Sequence, residues 1–380
     1  MKVTKIFKDF FESEKTGGLV LIAFTIFSII LANSIFGVDY HNFYQTKFVS
    51  LSIEHWINDG LMAIFFLLIG LELEREIYQG ELSNFKEALF PIFGAIGGMF
   101  VPAGIFLIFN YGTTTQAGAG IPMATDIAFA LGILSLLGNR VPISLKVFLT
   151  ALAVIDDLGA IIIIAIFYTK TLLWTNLFIA LGIFALLLVF NRMKVRNLIP
   201  YLIGGLAMWY FMLHSGVHAT ITGVLLAFAI PFGKGDEKSA SYILQHFLHK
   251  PVAFIILPIF ALANTAIVFN GDIAKILTEN NSLGIALGLL VGKPLGIFLL
   301  SFLAVKLGFC KIPEDLNCKS IIGIGFLAGI GFTMSIFITL LAFDNQEIIN
   351  NSKLIILLSS LTAGLLGVLT LKLTLKPSLD

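Results

Sequence analysis

The hydrophobic residues of this chain fall into long runs that short polar stretches separate. A helix needs about 20 mostly apolar residues to cross the hydrocarbon layer of a membrane. The connecting stretches are too short to form a soluble domain, which predicts a single transmembrane domain over residues 1–380. The pattern predicts twelve membrane-spanning helices, near residues 17–35, 57–78, 88–110, 116–138, 143–168, 172–190, 197–213, 215–231, 250–269, 284–306, 319–343 and 352–373.

The amino-acid composition supports this interpretation. Hydrophobic residues make up 58% of the chain and charged residues 12%, whereas soluble domains have about 45–50% and about 25%. The composition excludes a soluble enzyme, a disordered chain and a disulfide-rich scaffold, and it indicates an all-α polytopic membrane protein. The net charge of +1 gives no reason to expect a nucleic-acid partner.

The distribution of basic residues predicts the orientation in the membrane. With twelve spans, most of the 24 lysines and arginines fall on the side of the N-terminus. Cytoplasmic loops carry an excess of these residues, so both termini are predicted to be cytoplasmic. The first external stretch alternates with a period of two over residues 48–53, which predicts either a short external β-hairpin or a loop without structure.

Four charged residues lie near the middle of predicted spans: Asp126, Asp156, Asp157 and Lys293. Each charge in the middle of a membrane costs about 2.5–3.5 kcal/mol on insertion scales. An ion pair that only fixes helix packing would account for Lys293 and one aspartate, but it would leave two acids unexplained. The pattern therefore favours a site for an ion or a proton.

The spacing of the acids adds to this prediction. Adjacent residues of a helix point about 100° apart, so Asp156 and Asp157 cannot face the same way. One of them is a candidate to pair with Lys293, and the other to face a watery cavity. Burial and a nearby cation act on a carboxylate in opposite directions, so protons and a hard cation such as Na⁺ can compete for such oxygens.

Two of the predicted spans contain residues that interrupt helices. Pro122 lies in the fourth span, and Gly329 and Gly331 lie in the eleventh. Simple kinks or close packing would explain either span alone. Unwound backbone at both places, near intramembrane charges, instead predicts inverted repeats over about residues 88–168 and 284–373.

Interrupted helices direct the ends of their dipoles into the membrane. Asp126 is predicted to neutralise the positive helix ends and Lys293 the negative ones. In the tenth span, glycines recur every fourth residue, which predicts a face for close helix packing, made of Gly284, Gly288, Gly292 and Gly296.

Five stretches of the chain carry recognisable motifs, at residues 56–63, 121–130, 148–164, 216–220 and 329–335. Through them the chain resembles the NhaA family of bacterial sodium/proton antiporters. The resemblance implies twelve helices, two of them unwound and crossing, and a homodimer in the inner membrane. It also implies electrogenic exchange of external protons for internal Na⁺ or Li⁺.

The resemblance also implies roles for single residues. Asp156 and Asp157 correspond to the cation and proton site, with Thr125 as a further ligand. Asp126 and Lys293 correspond to the residues that compensate the helix ends, and Lys293 to a partner of Asp156.

A response to pH is implied in the same way. Gln245 stands where relatives can have an acid, and Glu74 where relatives often have a base, which leaves the set-point open. For the histidines there is an alternative: His246 and His249 would be a solvated pair in a loop, and His218 would be a packed polar side chain. The candidates for the response are Asp59, Glu72, Arg75, Glu76, His218, His246 and His249.

The sequence therefore predicts a transporter that is not an enzyme and needs no cofactor. Its predicted partners are small cations, protons and membrane lipid. A passive cation channel, an intramembrane enzyme with paired carboxylates and a proton-coupled exporter of another solute are the alternatives. A channel would need a continuous polar pore, and the charged residues instead form one cluster near the middle of the membrane.

Overall fold

The computed structural model describes residues 2–169, 172–268, 273–313 and 315–375. Most of these residues are helical. The α-helices are α1 (Lys2–Ala32), α2 (Gly37–Gln45), α3 (Ile53–His55), α4 (Met62–Tyr78), α5 (Phe85–Asn110), α6 (Ile127–Ser135), α7 (Ile143–Phe167), α8 (Trp174–Arg192), α9 (Ile199–Leu213), α10 (Ile221–Ala229), α11 (Ala240–Pro251), α12 (Leu257–Asn264), α13 (Ile273–Thr278), α14 (Asn280–Leu287), α15 (Lys293–Lys306), α16 (Cys318–Ala328), α17 (Phe332–Ala342) and α18 (Gln346–Thr374).

Several of these helices continue into each other through segments of different pitch. The π-helical segments Trp56–Leu61, Val252–Ile256 and Gly288–Gly292 join α3 to α4, α11 to α12 and α14 to α15. Single turns of 3-10 helix occur at Glu81–Ser83 and Gly138–Arg140, and a longer 3-10 helix covers Gln116–Met123.

The described helices confirm a membrane protein built of helical spans. Eight of them are long and apolar enough to cross a membrane, or ten if each of two bent helix pairs is one span. The remaining two predicted spans contain α9 and α10, which have 15 and 9 residues. Both are shorter than the roughly 20 residues of a full span, so the number twelve stays a prediction.

Of the two alternatives for the first connection, a β-hairpin or a loop without structure, the structure contains the β-hairpin. Strand β1 (Lys47–Phe48) pairs antiparallel with β2 (Leu51–Ser52). Val49 in the two-residue turn has a φ of 62°. The indole of Trp56 donates a hydrogen bond of 3.0 Å to the Phe48 carbonyl, which fixes the hairpin to the following helix.

Both predicted helix interruptions are present, and they touch each other. Residues 124–126 are extended between the 3-10 helix and α6, and residues 329–331 separate α16 from α17 at a bend of 49°. The backbone N–H of Asp126 donates a hydrogen bond of 2.7 Å to the Ile330 carbonyl. Pro122 lies inside the 3-10 helix, just before the extended residues.

The glycine face of the tenth span packs closely, as predicted. It lies against α5 and the 3-10 helix, where a Cβ atom on Gly288 would be 2.6 Å from the Cβ of Pro122. On Gly292 it would be 2.8 Å from the Cα of Pro102. Only glycine allows the backbones to approach so closely, and the contact holds α15 beside the interrupted helices.

Candidate functional site

Lys293, Asp156 and Thr125 form a buried cluster beside the crossing of the interrupted helices. The Lys293 side chain is fully buried, and its Nζ donates hydrogen bonds to Oδ2 of Asp156 and, at 2.8 Å, to Oγ1 of Thr125. Thr125 reaches this position because it lies in the extended segment, where its hydroxyl is 2.7 Å from Oδ2 of Asp156. The predicted pairing of Lys293 with an aspartate is therefore made with Asp156.

Asp157 takes no part in this ion pair, and the helical geometry of α7 points it in a different direction from Asp156. Its side chain is 1% exposed, and neither of its carboxylate oxygens has a hydrogen-bond partner among the described residues. Oδ1 of Asp156 also has none there. Buried carboxylate oxygens without partners are costly, and a cation or a proton would satisfy them.

The surroundings of Asp157 are mostly acidic. Asp126, Asp156 and Glu72 are all close enough to interact with it electrostatically, and Lys293 is the positive group in this set. Excess negative charge in a site that excludes water attracts a cation or a proton, because the field is screened little.

Asp126 caps two helices at the crossing. Its Oδ1 accepts a hydrogen bond of 3.0 Å from the Phe129 backbone at the start of α6. Its Oδ2 accepts hydrogen bonds from the backbone N–H, at 3.1 Å, and the hydroxyl of Thr333 at the start of α17. A carboxylate at two helix N-termini fits the predicted compensation of the positive helix ends.

The negative helix ends are contacted less directly. Helix α16 ends at Ala328, whose carbonyl oxygen lies 2.9 Å from Oγ1 of Thr125. Lys293 donates to that hydroxyl rather than to the carbonyl. Lys293 therefore interacts with the end of α16 indirectly, through the hydroxyl of Thr125, and the sequence did not predict this arrangement.

The described residues do not form a preformed metal centre. No group of three or more His, Cys, Asp or Glu side chains in the described ranges is arranged to hold a metal ion. A hard cation at Asp157 would take carboxylate oxygens first, and backbone carbonyls or water would complete its shell.

The candidates for a pH response lie at several places, and only some are near the acids. Glu72 is within electrostatic range of Asp157, and its Oε1 lies 3.9 Å from Nδ1 of His249 on α11. Arg75 and Glu76 form an ion pair of 3.5 Å one turn along α4. Of these residues, Glu72 links the surroundings of Asp157 to α11.

The other candidates for a pH response lie apart from the cluster of Asp126, Asp156 and Asp157. Oδ2 of Asp59 is 3.3 Å from Nε2 of His55 in the same span. His218 has Nε2 3.0 Å from the Tyr168 carbonyl. The ring of His246 stacks on Tyr242, with 5.5 Å between the ring centroids.

Thr333 and Ser335 were not predicted as site residues. Thr333 bonds Asp126 through two atoms, and Oγ of Ser335 donates a hydrogen bond of 2.7 Å to the Ile121 carbonyl. Both lie in the first turn of α17, directly after the interruption, where polar side chains meet free backbone groups. That position was the signal by which they could have been found.

A buried lysine and three aspartates at the crossing of two interrupted membrane helices define a secondary transporter that binds small ions. The comparisons with known proteins give the family. A family model described as "Na+/H+ antiporter 1" matches residues 8–371, and the chain belongs to this family.

Individual relatives agree over nearly the whole chain. A protein of Flavobacterium psychrophilum named Na(+)/H(+) antiporter NhaA is 72% identical over 376 residues, which cover 99% of this chain and 98% of the relative. A protein of the same name from Cytophaga hutchinsonii is 64% identical and covers 100% and 98%. One from Dechloromonas aromatica is 63% identical and covers 97% and 96%.

Proposed function

We propose that this protein exchanges Na⁺ for protons across a membrane and that Asp157 is the residue at which they compete. The observation that carries the proposal is that the two carboxylate oxygens of Asp157, buried beside the ion pair of Asp156 and Lys293, have no hydrogen-bond partner among the described residues. Family membership and the names of the relatives agree with this function.

The exchange follows from the chemistry of the site. Na⁺ binds the oxygens of Asp157 and the free Oδ1 of Asp156, and Thr125 supplies a further oxygen. When Na⁺ leaves, a proton takes its place, because an uncompensated carboxylate is costly in this surrounding. Alternating access of the two membrane sides to the site then couples the two movements.

We infer that the exchange is electrogenic and that it exports Na⁺ or Li⁺. Two adjacent acids accept protons, whereas one monovalent cation occupies the site. More protons than metal ions would then move in each cycle. The membrane potential would drive the export, since moving net charge along that potential releases energy.

We propose that pH regulates the exchange through groups beside the site. The Glu72 carboxylate lies between His249 and the acids around Asp157. Histidine changes its charge near neutral pH, so its protonation would change the field at the site. Arg75 and Glu76 are next to this contact, and Asp59, His218 and His246 are more distant candidates.

We also propose how the protein lies in its membrane. The family and its bacterial relatives support a bacterial inner membrane, and the basic residues favour both termini in the cytoplasm. The paired interruptions support inverted repeats over residues 88–168 and 284–373.

An isolated hairpin is marginally stable, and the exposed Phe48 and Val49 at its tip support a contact with a second copy in a homodimer.

We further propose that the chain is not an enzyme and that it has no cofactor. The aspartates and Lys293 bind and release ions and protons. The only covalent bonds that form and break in these steps are the O–H and N–H bonds of the exchanged protons. Na⁺ or Li⁺ and protons are then the substrates, and lipid is the surrounding medium.

The test is transport by the purified protein in liposomes with an internal pH dye. A Na⁺ gradient should drive proton movement in the wild-type protein, and the Asp157→Asn variant should lose it while still inserting into the membrane. Glu237→Gln removes an exposed acid and should leave the exchange unchanged. Equal Na⁺-driven proton movement by Asp157→Asn would contradict the proposal, and Na⁺ conduction without proton movement would favour a channel.

A further inference from the structure

The structure contains a second buried lysine, Lys353, in α18. Its side chain is 5% exposed. Lys293 has an aspartate and a threonine as partners, but Lys353 makes no hydrogen bond or ion pair within the described ranges. The Lys353 Nζ is not fully enclosed by protein, but a lysine in so buried a position loses much of its hydration without gaining a partner, which is unfavourable.

Lys353 lines a cavity of about 250 Å³ next to the β-hairpin, and most of the residues that line it have a polar group. Two amides, Gln346 and Asn350, come from the same helix as the lysine. The rest of the wall comes from elsewhere: His41 and Tyr44 of α2, Glu54 of α3, and the end of α12 with the residues after it.

The two walls of the cavity belong to different groups of helices. Helix α18 packs on α14, α16 and α17, next to the interruption at residues 329–331. Helices α2 and α3 pack on each other, α2 also packs on α1, and α1 packs on α12. Helices α2, α3 and α12 do not pack closely on α18 itself, and the two groups are joined through α6, which packs on α1 and α18, and through the contact of α12 with α17.

Glu54 is the carboxylate on the wall opposite Lys353. Its Oε2 accepts a hydrogen bond of 2.7 Å from Nε2 of Gln45, which holds it in place. Glu54 and Lys353 interact electrostatically across the cavity, but the described ion pairs, which reach to 4.0 Å, do not include them. Two opposite charges thus face each other without contact.

We propose that Glu54 and Lys353 form an ion pair when the helix groups approach on this side, and that they separate when the cavity is open. The pair stabilises the conformation in which this side is closed. It therefore helps to set the balance between the two conformations of the transport cycle. This inference rests on the proposed function, because exchange requires the protein to alternate between two conformations.

The pair is tested by distances across the cavity, which need no transport. Spin labels at His41→Cys and Gln346→Cys, two exposed positions on opposite walls, report the separation in liposomes after both natural cysteines are replaced by serine. We expect a short and a long distance population. Lys353→Met and Glu54→Gln should each reduce the short population relative to the long one about threefold or more.

The controls separate the ion pair from a general loss of structure. Lys353→Arg keeps the charge and should retain the short population, and the exchange Glu54→Lys with Lys353→Glu should restore it. Lys275→Met removes an exposed lysine of α13 and should change nothing.

An unchanged distance distribution in both single variants would overturn the inference, as would a charge exchange that restores nothing. If the distances respond as expected but the wild-type protein does not exchange Na⁺ for protons, the proposed function fails separately.

Discussion

At the scale of single residues, the site depends on how one positive charge is shared among the acids. Lys293 bonds Asp156 and Thr125, so Asp157 is left without a hydrogen-bond partner among the described residues. The sequence predicted the four charged residues and the different directions of the adjacent aspartates. It could not decide from the residues alone which aspartate meets Lys293, because that depends on how α7 is rotated against α15.

The ion pair of Lys293 and Asp156 should be important for stability. Lys293→Met leaves a buried carboxylate without its cation, which should lower the free energy of unfolding by about 3–5 kcal/mol. The double variant Lys293→Met with Asp156→Asn removes both charges and should recover part of that loss. Thermal unfolding midpoints in detergent measure both effects, and a double variant no more stable than Lys293→Met would contradict the pairing.

At the scale of elements, two helix interruptions and one glycine face hold the site together. The interruption at residues 329–331 meets the backbone of the π-helical segment before Lys293, since a Cβ on Gly329 would be 2.5 Å from the Leu289 carbonyl oxygen. The sequence predicted both interruptions from proline and glycine. It did not predict the 3-10 and π-helical segments, because their pitch depends on packing between helices rather than on local residues.

The two glycines of the eleventh span should differ in their tolerance of alanine. Gly329→Ala would push a methyl group against a backbone carbonyl that cannot move alone, and it should cost about 1–3 kcal/mol. Gly331→Ala would meet the hydroxyl of Ser335, which can rotate away with the loss of its hydrogen bond to the Ile121 carbonyl, and should cost about 1 kcal/mol.

A control for this comparison is Gly104→Ala in α5, since a Cβ there meets no atom within 4 Å. Thermal unfolding of the three variants in detergent gives the order. Equal unfolding midpoints for Gly329→Ala and Gly104→Ala would show that the close backbone approach does not stabilise the crossing.

At the scale of the whole molecule, apolar runs predicted the helical membrane fold and the basic residues predicted its orientation. The lengths of the apolar runs did not reveal that α9 and α10 are short helices, because each run also includes apolar residues in the turns next to the helix. The cavity at Lys353 was also not predicted, since a lysine near the end of a span is usually taken to reach the surface.

The two natural cysteines test the predicted orientation. Cys310 is buried and lies in the connection before α16, and Cys318 is exposed and begins α16. The basic residues place this connection in the cytoplasm. Burial raises the pKa of the Cys310 thiol, so it holds less of the reactive thiolate and should label more slowly than Cys318.

Labelling with a membrane-impermeant maleimide measures this prediction. Cys318 should label in inverted vesicles and stay unlabelled in intact cells. In a protein whose natural cysteines are serine, Lys275→Cys should show the reverse pattern. Rapid labelling of Cys318 in intact cells would mean that the orientation is wrong.

Proton release on Na⁺ binding tests the central claim most directly, because it needs neither a membrane nor a gradient. Purified protein in detergent and weak buffer is titrated with Na⁺ while a pH dye records the solution. Competition at the same carboxylates predicts that Na⁺ releases protons from the wild-type protein and from Glu237→Gln, and that Asp157→Asn releases none. Equal release by Asp157→Asn, or none from a wild-type protein that transports, would contradict the account.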